Sequence, residues 1–134
     1  MEIAWLIGIV IFGIGVLTFV SLMSRQTTNL NVQDYRNRWE KIQGYLANED
    51  TLQVAVLEAD KLLDKALRES KFKGSTMGER MVSAKKVFSK RDHVWMAHKL
   101  RNKIAHESDV KVNKRQANAA LSAIHRALKD LKAL

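Results

Sequence analysis

The chain contains no cysteine and no proline, and six of its 134 residues are glycine. Without cysteine there is no disulfide framework, no thiolate zinc site and no cysteine nucleophile, and a domain on the reducing side of a membrane fits. Without proline, and with only Gly44, Gly74 and Gly78 beyond residue 23, little in the second part of the chain interrupts a helix. No glycine-rich loop precedes a helix, so a P-loop or a Rossmann turn has no support. His93, His98, His106 and His125 lack the close ligand spacing of a zinc helix, and no HExxH occurs. No Ser/His/Asp arrangement emerges from the order of residues.

Charge is absent from one long stretch, IAWLIGIVIFGIGVLTFVSLM, running from Ile3 to Met23. About 20 helical residues at about 1.5 Å each span a hydrocarbon core of about 30 Å. A signal peptide would want a basic leader, a shorter apolar run and a small-residue cleavage site. Here the run follows Met1-Glu2 directly, and it is apolar all round, unlike a soluble core helix. Residues 1–23 are therefore expected to be a transmembrane anchor. Arg25, Arg36, Arg38 and Lys41 follow it, whereas only Glu2 and the amino terminus precede it. The positive-inside rule places the N-terminus outside and the C-terminal domain in the cytoplasm, in a single-pass protein of the plasma membrane. Trp5 sits where indole rings anchor at the outer interface. Ala4, Gly8 and Gly15 share a face on which two anchors would pack closely.

Positive charge is concentrated late. Residues 1–70 carry 7 Lys and Arg against 9 Asp and Glu, whereas residues 71–134 carry 16 against 5. An excess of that size implies a polyanion as partner, either RNA or the anionic lipid surface beside the anchor, unless it is a solvated Lys-rich face that aids solubility.

After a polar linker at 24–33, residues 34–134 read as one all-α domain, a four- to five-helix antiparallel bundle. Tyr35, Trp39, Ile42 and Leu46 recur at helical spacing in a helix of roughly 32–47. Asn48 caps a longer helix whose apolar face runs from Leu52 through Val56, Ala59 and Leu63 to Leu67, ended by Lys71 to Gly74. Thr76 and Glu79 have capping-box spacing and open a short helix carrying Met81, Ala84, Val87 and Phe88. A fourth helix spans about 92–105. Asn113 and Gln116 cap the last, whose stripe includes Ala117, Leu121, Ile124 and Leu128.

The stretch WMAHKLRNKIAHE, from Trp95 to Glu107, is the most informative. Val94, Ala97, Leu100 and Ile104 form its inward stripe, and Arg101 falls inside that stripe. An arginine there needs a partner or a ligand. His98, Asn102 and His106 follow one another at intervals of four along the adjoining flank, so imidazole, carboxamide and guanidinium are expected to converge near the end of one helix. A structural reading is also available: Arg101 pairs with Asp60 or Asp64, and His106 caps its own helix.

Arg101-Asn102-x-x-x-His106, late in the penultimate helix of a basic all-helical domain, resembles the R-x4–6-H motif of the HEPN superfamily, including the polar residue after the arginine. The resemblance implies a metal-independent endoribonuclease working as a homodimer, with two motifs facing one cleft and no cofactor. By matched position, His106 would be the general acid/base for attack of a ribose 2′-OH on the adjacent phosphorus. Arg101 would hold the phosphate and stabilise its developing charge, and Asn102 would orient both. The chemistry suits the residue types, since histidine titrates near neutrality and a guanidinium matches phosphoryl oxygens. HEPN domains also serve as non-catalytic modules, so the alternative is a membrane-tethered adaptor that binds RNA or a protein.

Overall fold

The computed structural model describes residues 2–23 and 29–134. Six α-helices are found among them: α1 (Glu2–Met23), α2 (Val32–Gly44), α3 (Leu52–Glu69), α4 (Met77–Ser83), α5 (Arg91–His106) and α6 (Lys114–Asp130). No strand occurs among the described residues. The expected all-α architecture, one apolar helix followed by a helical bundle, is what the chain forms. Of the expected linker, residues 24–28 lie outside the described residues, as does Arg25. Residues 29–31 are irregular, and the first bundle helix begins at Val32.

Helix α1 is long and apolar enough to cross a membrane. Its window Ile3–Val20 has a mean hydropathy of 2.6, and none of it is buried. The hydroxyl of Thr18 donates back to the carbonyls of Ile14 and Gly15 at 2.9 Å each, so this polar group is satisfied within the helix, as an apolar medium requires.

The bundle core is built from the apolar faces read in the sequence. Tyr35, Trp39 and Ile42 of α2, Leu52 to Leu67 of α3, Met81 of α4, Val94 and Ala97 of α5, and Ala117 to Leu128 of α6 form one buried cluster. Helix α6 packs along both α3 and α5, α3 also touches α5, and α2 lies on α3. This arrangement fixes α5 against α3, and with it the candidate site.

Boundaries follow local hydrogen bonding. The Asn31 side chain accepts from the Asp34 N–H at 3.1 Å and starts α2. The helix expected to reach residue 47 stops at Gly44 and tightens into a 3₁₀ turn at Tyr45–Ala47. Asn48 caps a second 3₁₀ turn, Glu49–Thr51, that leads directly into α3. Helix α3 ends in a Schellman arrangement. Lys71 is at φ 63°, its N–H reaches the Arg68 carbonyl, and the Phe72 N–H reaches Leu67. At α4 the expected capping box is shifted by one residue. Thr76 Oγ1 accepts from the Glu79 N–H at 3.2 Å, but the Glu79 carboxylate takes the N–H of Ser75, not that of Thr76. Helix α4 also ends earlier than expected, at Ser83, so Val87 is exposed while Phe88, beyond the helix, is still buried. Asn113 and Gln116 form a complete capping box on α6.

Tyr35 ties α2 to the end of α3. Its hydroxyl donates to Glu69 at 2.7 Å, while Lys65, itself paired with Glu69, lies 4.8 Å over the ring. Burial, and then the hydrogen bond to Glu69, push the phenol well above its ordinary value. A phenol raised in the folded state contributes stability that is present in full below the unfolded value of about 10 and is lost as pH rises beyond it. Chemical denaturation of the wild type should therefore show a midpoint that falls steadily above about pH 10, and Tyr35→Phe should flatten that fall.

Candidate functional site

Helices α3 and α5 and the start of α4 enclose a groove of about 870 Å³ lined by both acidic and basic side chains. Its floor is an acid that interrupts the apolar face of α3. Asp60 lies between Val56 and Leu63, and its side chain is only 4% exposed. A carboxylate at that depth needs compensation, and α5 supplies it twice. His98 Nδ1 is 2.9 Å from Asp60 Oδ1, and Arg101 Nε is 3.5 Å from Asp60 Oδ2. Positions 98 and 101 are three apart on a helix, so both side chains project to the same side and reach one carboxylate.

A carboxylate only accepts hydrogen bonds, so Nδ1 of His98 is the donor to Asp60, and in the neutral ring this leaves Nε2 as an acceptor. That nitrogen has no hydrogen-bond partner among the described residues, and no fully buried side-chain nitrogen or oxygen there lacks one. Nε2 is therefore not fully buried, and His98 lines the groove although its side chain is only 11% exposed. Trp95 stands edge-on to the imidazole, with ring centroids 6.1 Å apart and planes at 76°.

Arg101 is half-buried, with 38% of its side chain exposed. Its Nη1 donates to Asn102 Oδ1 at 3.1 Å, and both residues line the groove. Lys61 and Lys99 stand at the same opening. Asp64, the other partner expected for Arg101, is engaged by Arg80 Nε at 2.8 Å and Arg68 Nε at 3.4 Å. Of the two carboxylates, Asp60 is the one that Arg101 meets.

Arg101 and Asn102 thus come together, and His106 does not join them within one chain. It is exposed at the last position of α5 and borders a different hollow of about 600 Å³, with Lys103, Glu107 and Lys111 around it. The imidazole that shares Asp60 with the guanidinium, and lines the same groove as the carboxamide, is that of His98. Two signals in the sequence pointed that way: an aspartate set within an apolar helical stripe, and a histidine three residues before the arginine that needed a partner.

Apart from Arg80 and Arg101, the positive charge of the C-terminal half lies on exposed surface. Lys85, Lys86, Lys90 and Arg91 cluster between α4 and the first turn of α5, and Lys111, Lys114 and Arg115 gather at the start of α6. Among the described residues no group of His, Asp and Glu has the arrangement to hold a metal ion. No family model, no curated protein and no solved structure matches the chain.

Proposed function

We propose that the chain is a membrane-tethered, HEPN-like endoribonuclease that cleaves RNA without a metal, as a homodimer whose catalytic domain faces the cytoplasm. One observation carries the reading: Arg101 is held by Asp60 beside Asn102, in an open groove rimmed by lysines. A guanidinium fixed by a carboxylate behind it is oriented before the ligand arrives, which is how an electrostatic clamp for a phosphoryl group gains its effect. Arg101 then binds the scissile phosphate, Asn102 orients the guanidinium, and His106 exchanges a proton with the reacting oxygens. Because His106 lies outside the groove of its own chain, the homodimer is what brings a His106 to the phosphate held by Arg101. The exposed basic surface supports attraction of RNA. The anchor confines pairs of domains to one plane, which raises their effective concentration.

Replacing exposed His106 with alanine tests the site without disturbing the core. RNA cleavage should fall about 10²–10⁴-fold, while stability should change by less than about 0.5 kcal/mol. Arg101→Lys keeps the charge but loses the planar fork, and should lose most of the activity as well. Cleavage that survives both substitutions rejects the assignment.

The Asp60–Arg101 contact also suits a second reading, a tethered adaptor in which the pair only holds α3 to α5. That reading predicts RNA or protein binding with no turnover by the wild type. Membrane tethering has its own check. After alkaline carbonate extraction the full chain should remain in the membrane pellet with the peptide that includes residues 1–23 intact; recovery of a shortened, soluble chain would make that segment a cleaved signal.

A further inference from the structure

We infer that His98, with its ring fixed by Asp60, is the group that accepts the 2′-hydroxyl proton in the α3–α4–α5 groove, leaving His106 the opposite half of the reaction; the inference rests on the ribonuclease reading above. Three observations converge on it. His98 Nδ1 is held by Asp60 at 2.9 Å, which in the neutral ring leaves Nε2, not fully buried, as the proton acceptor on a residue that lines the groove. The same carboxylate orients Arg101, so a phosphate bound by the guanidinium lies beside the imidazole. Trp95, in the same wall, offers an aromatic surface for an unpaired base. The substrate this arrangement fits is single-stranded RNA: a stacked base, a phosphate on Arg101, and the preceding ribose with its 2′-oxygen at His98.

The 2′-oxygen bonds to phosphorus as its proton passes to Nε2 of His98, and the bond from phosphorus to the 5′-oxygen breaks. The departing 5′-oxygen takes a proton from the imidazolium of His106. Products are a 2′,3′-cyclic phosphate and a 5′-hydroxyl, and exchange with water resets both histidines. Attack in line places the entering and leaving oxygens on opposite sides of phosphorus, so a single imidazole does not serve both. His98 in the groove and the His106 of a second copy, brought to the other side of the phosphorus by the homodimer, meet that requirement.

The test compares two oligoribonucleotides, one ordinary and one with sulfur replacing the 5′-bridging oxygen at the cleaved linkage, using full-length protein in nanodiscs. A thiolate leaves without being protonated, so only loss of the acid is rescued by sulfur. His98→Asn retains a donor in the place of Nδ1 and with it the contact to Asp60, but lacks Nε2. It should lose about 10²–10⁴-fold on both substrates. His106→Asn should lose a similar factor on ordinary RNA and recover most of it on the sulfur substrate. His98→Asn at the wild-type rate, or rescued by sulfur, overturns the assignment of His98 while leaving the ribonuclease reading standing. No cleavage by the wild type overturns that reading itself. If His98→Asn melts below the assay temperature, ¹⁵N shifts of the wild-type ring decide. A neutral ring protonated on Nδ1 is expected, and one protonated on Nε2 overturns the inference.

Discussion

Asp60→Ala should lower the stability of the bundle by about 2–3 kcal/mol and its Tm by about 10–20 °C. Asp60 is a buried acid whose two partners come from another helix. Truncating it leaves the largely buried His98 Nδ1 without its acceptor, which costs about 1–3 kcal/mol for an unsatisfied buried group. Arg101 adds less than a fully buried ion pair would, because 38% of its side chain is exposed and water takes over part of the lost contact. Asp60→Asn keeps an acceptor of the same shape and should cost roughly half as much. Thermal melts of the three proteins in one detergent check the order. A melt of Asp60→Ala within about 2 °C of the wild type would mean that the acid does not hold α5.

The second large effect concerns the turn that carries α4 to the groove. Gly74 sits at φ +155°, and a Cβ built there would lie 2.6 Å from the backbone nitrogen of Arg80 and 2.8 Å from Glu79 Cβ. Neither obstacle is the flexible end of a side chain, so the turn must move away from α4. That movement strains the bonds that hold the two together, from Arg80 Nη1 to the Gly74 carbonyl at 2.7 Å and from Ser83 Oγ to the Lys73 carbonyl at 2.6 Å. Gly74→Ala should destabilise by about 2–4 kcal/mol. Gly44 provides the internal comparison. It closes α2, and a methyl group added there would meet nothing within 4 Å, so Gly44→Ala should be neutral or stabilising by up to about 1 kcal/mol. Equal effects at the two glycines would contradict the account of the turn.

Most of the fold was legible because apolar residues recur every three or four positions and polar residues cap the ends. Asn113 with Gln116 marked the start of α6 to the residue, and the stripe from Ala117 to Leu128 is buried as spaced. Where the reading slipped, a local detail prevailed. Val87 continues the helical spacing of Met81 and Ala84, yet α4 is over by Ser83, and the chain turns so that Phe88, not Val87, joins Ala84 in the core. The site was legible in part. Arg101 in an apolar stripe demanded a partner, and Asp60 was one of two candidates. Choosing between them depends on how α3 and α5 are set against α6, a register that no local pattern encodes. The same register buries His98, which on a helical wheel lies only on the flank. The proposed cleft between two copies would depend on surfaces of both, which periodicity within one chain does not describe.

The central claim, a tethered domain that cuts RNA with its own side chains, is tested most directly by the ends it leaves. Full-length protein in nanodiscs, incubated with single-stranded RNA in excess EDTA, should yield fragments ending in 2′,3′-cyclic phosphate and beginning with 5′-hydroxyl. Intact RNA after prolonged incubation, or fragments with 3′-hydroxyl ends, would contradict it.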